Sequence, residues 1–155
     1  MWRLALLTLS ATLLSGCSYV YDLLAVVRNG ELIFVVSEQS PSDPNCLHEI
    51  EVGSADRIAV DPEAGDDPIR TGYGTVWRDA VEREVGWGAD CENQFPFAYG
   101  RNLKGNQRAD FALVEPKALD RNTVYEIRTV TGVTGYGFGR FLIHHDGRIE
   151  NLPAT

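Results

Sequence analysis

Chemistry by side chains needs groups that titrate, ligate or attack, and in this chain they gather most closely at His144-His145-Asp146. Imidazole beside carboxylate can hold zinc or relay protons. On an extended segment, however, neighbouring side chains point to opposite faces, so His144 and His145 cannot both reach one ion. They are expected as two exposed histidines flanking a turn, with His48, a third possible ligand, read as a rim residue beside a disulfide, and no catalytic residue, metal or cofactor is assigned. A second group, Asp61, Glu63, Asp66 and Asp67, offers the oxygen ligands that Ca²⁺ takes. Its spacing fits no EF-hand and Pro62 and Pro68 stiffen it, so it reads as a solvated loop. Gly132, Gly135, Gly137 and Gly139 suggest a phosphate cradle, but no helix start follows to supply free amides. They read as flexible positions in a loop between two strands. There is no Gly-x-Ser-x-Gly elbow. Carboxylate pairs suited to glycoside hydrolysis carry no information, because 22 acidic residues always offer some pair.

Binding residues are easier to find. The pair Tyr-Gly occurs at Tyr73-Gly74, Tyr99-Gly100 and Tyr136-Gly137, in a chain that also holds Trp77, Trp87, Phe95 and Phe97. Several of these on one rim would make an aromatic patch for protein or sugar. Arg101, Lys104 and Arg108 are the densest basic group of a chain whose net charge is −8. Such a group grips anions, for example those of a cell wall or lipopolysaccharide. The candidate binding rim is therefore Tyr73, Tyr99, Arg101, Lys104 and Tyr136, against the alternative that the aromatics fill the core and the charges are scattered. The acidic balance excludes nucleic acid as a partner.

These residues must be positioned by strands. Turn signals recur about every ten residues between short runs of Val, Ile, Leu, Phe, Tyr and Thr, the rhythm of an all-β sandwich or barrel. The clearest hairpin is Leu23 to Val27, the turn Asn29-Gly30, then Leu32 to Val36. A second runs from Phe141 to His145 through Asp146-Gly147 to Arg148 and on to Leu152. Cys46, His48, Ile50 and Val52 alternate with Leu47, Glu49 and Glu51, which places Cys46 on the apolar face of a half-buried strand. Residues 76–85 fit both periods, since Trp77, Val81 and Val85 suit helical spacing and strand alternation; they are read as strand, with a helical turn as the alternative.

The N-terminus carries an address. Arg3 precedes an apolar stretch from Leu4 to Leu14, the charge and core of a secretory signal. The stretch is far short of the roughly twenty apolar residues that cross a bilayer. At Leu14-Ser15-Gly16-Cys17 the chain resembles the bacterial lipoprotein family in all four positions of its cleavage site. The resemblance implies removal of residues 1–16 and acylation of Cys17, which becomes the first residue and the point of attachment to a membrane. Each buried methylene contributes about 0.8 kcal/mol, so two or three acyl chains hold firmly. Ser18, where the family's inner-membrane members carry Asp, implies sorting to the outer membrane. With Cys17 assigned to lipid by this resemblance, Cys46 and Cys91 remain as a pair for a disulfide in an oxidising compartment. A Cys-His nucleophile would need one of them reduced there.

Near the C-terminus, Leu119, Thr123, Tyr125, Ile127 and Thr129 stand at the spacing with which fibronectin type III domains enter their sixth strand. That resemblance implies a tyrosine corner, with Tyr125 turned into the core and its hydroxyl bonded to backbone near Leu119. Gly135-Tyr136-Gly137 is similar to the glycine-rich loop that follows in the family. The likeness spans residues 119 to 142; the first half lacks the family's early tryptophan and adds a cysteine pair. An immunoglobulin frame has Cys46, Trp77 and Cys91 in order but no tyrosine corner before the second cysteine.

The expectation is a lipoprotein signal peptide (1–16), a lipidated tether (17–22) and a single antiparallel β-sandwich domain (23–155) with one disulfide. Its expected role is that of a non-enzymatic binding, adaptor or structural module on the periplasmic face of the outer membrane, meeting another envelope protein or a cell-wall component. The alternatives are an inhibitor of a wall-degrading enzyme and a periplasmic hydrolase using His144 and His145.

Overall fold

The computed structural model describes residues 18–58, 74–83, 91–109 and 113–153. The signal segment, Cys17, the Asp61–Asp67 loop, Tyr73, Val85 and Trp87 lie outside them. The described chain is all-β, as expected. Its elements are β1 (Tyr19–Arg28), β2 (Glu31–Val36), β3 (Leu47–Ser54), a single helical turn α1 (Ala55–Ile58), β4 (Thr75–Ala80), β5 (Phe97–Ala98), β6 (Thr123–Thr131), β7 (Gly135–Ile143) and β8 (Ile149–Leu152). Within the ambiguous 76–85 stretch, residues 76–80 are thus strand and Val81 makes an isolated bridge to Gln107.

The strands follow the order β4-β3-β6-β7-β1-β2-β5, with β8 also on β7. One strand turns this ribbon back on itself. Tyr19–Asp22 of β1 pair with β7 in parallel, and Leu23–Arg28 pair with β2 antiparallel, so β1 leaves one layer and enters the other. The layers then close over a shared core: Phe34 of β2 meets Phe141 of β7 at 6.2 Å, and Phe97 of β5 stacks on Trp77 of β4 at 6.4 Å. Full burial of each such Phe contributes roughly 2 kcal/mol. Every ladder is antiparallel except β1–β7, a non-local pairing that no turn signal announces. Where β1 departs, β8 takes its place beside β7, and Asn151 joins the two strands by donating to Ala25 O (2.9 Å) and accepting from Ala25 N (2.7 Å).

The first hairpin has its expected turn, with Asn29 and Gly30 at φ of 52° and 83°. The second is wider than a two-residue turn. Gly147 N–H donates to His144 O and His144 N–H to Arg148 O, both at 2.9 Å, and of the residues between only Gly147 takes positive φ. Three expectations are corrected. Residues 19–22, expected within a tether, belong to β1, and Tyr21 is already core, its hydroxyl 2.6 Å from that of Thr129. Cys46 is half-buried rather than on the apolar face, because a bulge at His48 breaks the alternation and puts Leu47 in the core with Ile50 and Val52. Gly135, Gly137 and Gly139 belong to β7 and not to a loop. Across the parallel ladder Tyr19 faces Gly135 and Tyr21 faces Gly137, and a Cβ at either glycine would overlap the tyrosine ring.

The Cys46–Cys91 disulfide is present, with Cα atoms 5.5 Å apart, tying the start of β3 to the segment leading to β5. On the other face of β3 lies an ion pair almost without solvent contact. Glu51 Oε1 accepts from Arg78 (2.7 Å) and from Thr75 Oγ1 (2.6 Å). Burial pushes the Glu51 carboxyl above its usual range, against the lowering effect of those hydrogen bonds.

Candidate functional site

The histidine turn does not assemble a reactive centre. His144 Nε2 lies 2.6 Å from Glu150 Oε2 across the β7–β8 hairpin, while His145 is exposed. Asp146 serves the turn: its Oδ1 accepts from Arg148 N–H at 3.0 Å, and that bond holds its carboxyl below the usual range. Among the described residues no three His, Cys, Asp or Glu side chains stand close enough to share a metal ion.

The four described rim residues, Tyr99, Arg101, Lys104 and Tyr136, are not all gathered in one place. Tyr99 is half-buried, edge-on to Trp77 at 5.2 Å and to Phe34 at 6.5 Å, and its hydroxyl donates to Lys117 O at 2.7 Å. Burial pushes that phenol up to about 12. Arg101 lies over the Phe97 ring at 4.9 Å, and Lys104 pairs with Glu92 at 2.8 Å. Arg108 pairs with Glu49 at 3.0 Å. Each of the three basic side chains thus already has a partner. The segment carrying them is fastened to its neighbours: Asp79 accepts from Leu103 N–H (2.7 Å), and Asn93 makes two bonds of 2.8 Å with the Lys104 backbone. Tyr136 stands well away on the outer face of β7, flanked in register by Val130 of β6 and Val20 of β1. Tyr73 lies outside the described residues.

Tyr125 is buried, stacked on Phe141 at 5.6 Å, and its hydroxyl accepts from the backbone N–H of Asp120 at 2.8 Å, next to Leu119. This side chain fixes the entry to β6 and is structural.

The sequence patterns gave no sign of one concavity that the described residues form. A groove of about 540 Å³ is lined by His48, Glu49, Val81, Arg83, Arg108 and Val130 among others. The bulge turns His48 toward it, and Gln107, bridged to Val81, brings Arg108 to its edge. Burial lowers the His48 pKa, and the charges of Arg83 and Arg108 lower it further, so the imidazole is neutral at pH 7. The lining holds the donors of His48, Arg83 and Arg108, the two carboxylates of Glu49 and Glu82, and two valines, a composition suited to holding a polar group. His48 had one sequence signal, its place beside Cys46; the bulge that aims it had none.

No protein-family model, curated protein or solved structure matches this chain. Its function therefore has to be argued from its own residues.

Proposed function

We propose that this protein is a lipid-anchored envelope lipoprotein whose β domain is a non-enzymatic binding or adaptor module on the periplasmic face of the outer membrane. The observation that carries the reading is the use of the three cysteines. Cys46 and Cys91 are joined to each other, which leaves Cys17, at the end of Leu14-Ser15-Gly16-Cys17, as the remaining thiol. A disulfide accords with an exported chain. The binding role is supported by the groove among the described residues, which presents polar groups at His48 and Arg108. An envelope protein or a cell-wall component fits that groove as partner.

Two measurements on the protein from envelope preparations test this. Mass spectrometry of the N-terminal peptide is expected to find Cys17 as the first residue, carrying acyl chains; an unmodified Cys17 behind an uncut leader would refute the anchor. In-cell crosslinking is expected to enrich one envelope component with the wild-type protein, and less with an Arg83→Ala, Arg108→Ala variant. Equal recovery with both would remove the groove from the binding site.

A further inference from the structure

Removal of the leader before Cys17 leaves one residue, Ser18, between the acylated position and Tyr19, the first residue of β1. Two residue steps reach about 7 Å, so whatever end of the domain holds Tyr19 is pressed against the bilayer. The parallel ladder determines which end that is. Tyr19 pairs with Gly135, its N–H donates to Thr134 O at 3.1 Å, and its hydroxyl lies 3.1 Å from Thr131 Oγ1. The start of β1 therefore sits on the β6–β7 hairpin, residues 131–135.

That end differs chemically from the rest of the molecule. In a chain with 14 basic and 22 acidic residues, Ser18–Tyr21 and Thr129–Gly139 carry no charge. Among the described residues they also hold three of the five exposed large apolar side chains: Val133 at the hairpin tip is 74% exposed, Val20 59% and Tyr136 51%. Val20 and Tyr136 are register partners on one face, with Val130 beside them. All lie within about 10 Å of the tip along their strands. Interfacial segments place their apolar groups to a similar depth, roughly 5–10 Å, and tyrosine favours the boundary between headgroup and acyl chain.

We infer that the β6–β7 hairpin, through Val133, Val20 and Tyr136, is a second membrane contact that seats the domain on the bilayer surface in a fixed orientation. The His144–Arg148 turn, at the other end of roughly 26 Å of β7, then points away from the lipid. This rests on acylation of Cys17, which makes the tether short.

The test uses the acylated full-length protein, with Cys17 acylation verified by mass spectrometry. It is reconstituted in phosphatidylethanolamine and phosphatidylglycerol vesicles with brominated acyl chains. Val133→Trp and His145→Trp variants are compared after subtracting the emission of the unsubstituted protein. Val133→Trp is expected to be blue-shifted and quenched several-fold more than His145→Trp. Equal quenching, or none, in protein that carries acyl chains would overturn the seated orientation and leave the anchor standing. Absence of acyl chains on Cys17 would overturn both.

Discussion

Burying Glu51 beside Arg78 costs both residues their hydration, and each is tolerable only because the other is there. Removing one partner of such a pair costs about 3–5 kcal/mol, because the remaining charge is left without compensation. Arg78→Met should therefore lower stability by about that amount at pH 7, measured by urea unfolding, and the loss should depend on pH. The Glu51 carboxyl is already held above its ordinary value, so the unfolded chain releases this proton first as pH rises. Its favourable contribution is complete in acid and declines as pH climbs through the unfolded and then the folded pKa. Without Arg78 that decline is larger, so the gap between variant and wild type should narrow at pH 4; a gap that stays constant would show that the pair is not what Arg78 supplies. Little of this was legible beforehand. Glu51 alternates with Ile50 and Val52 on a strand read as half-buried, whereas the depth at which it pairs with Arg78 depends on strands distant in sequence. Tyr125 is the opposite case, since its position relative to Leu119 and the following alternation sit in one short stretch.

Strands were readable where the signal was local and opaque where it was not. Asn29-Gly30 announces its own hairpin, because two adjacent residues must accept positive φ. The parallel β1–β7 ladder has no such mark, and its one trace in the sequence, glycine at alternate positions of β7, looks like a flexible loop until the tyrosines of β1 are laid over it. Those glycines make space. Gly137→Ala should destabilise by about 1–3 kcal/mol, the usual cost of overpacking, instead of giving the gain that Gly→Ala often brings. Pairing it with Tyr21→Ala should cost less than the two single changes added together, since removing the ring removes one of the two overlaps and leaves that with Thr129 Oγ1. Additive losses would mean that the tyrosine is not the obstacle. The disulfide acts on the same scale, holding β3 to the segment before β5 across a sequence separation of 45. The double change Cys46→Ser, Cys91→Ser should cost about 4 kcal/mol by the chain-entropy argument, seen as a lower urea midpoint. An unchanged midpoint would mean that the strand ladders alone fix this end.

For the whole molecule, the decisive quantity is the sign of its charge. At −8, and one unit more acidic without residues 1–16 as the proposed anchoring has it, the chain is repelled overall by an anionic bilayer. On the proposed anchoring, attachment is hydrophobic, through the acyl chains and the uncharged hairpin. Hydrophobic and electrostatic attachment respond oppositely to salt. At 1 M salt the screening length falls to about 3 Å, which dissolves charge-held peripheral proteins but weakens the repulsion felt by an acidic one. Membranes bearing this protein, washed in 1 M KCl, should therefore retain it fully and release it only to detergent, whereas the Cys17→Ser form should appear in the soluble fraction at any salt. Release of the wild-type protein by salt alone would show that a protein partner, gripping through ion pairs, holds the domain at the membrane, and would move the search for function from the anchored end to the groove beside Arg108.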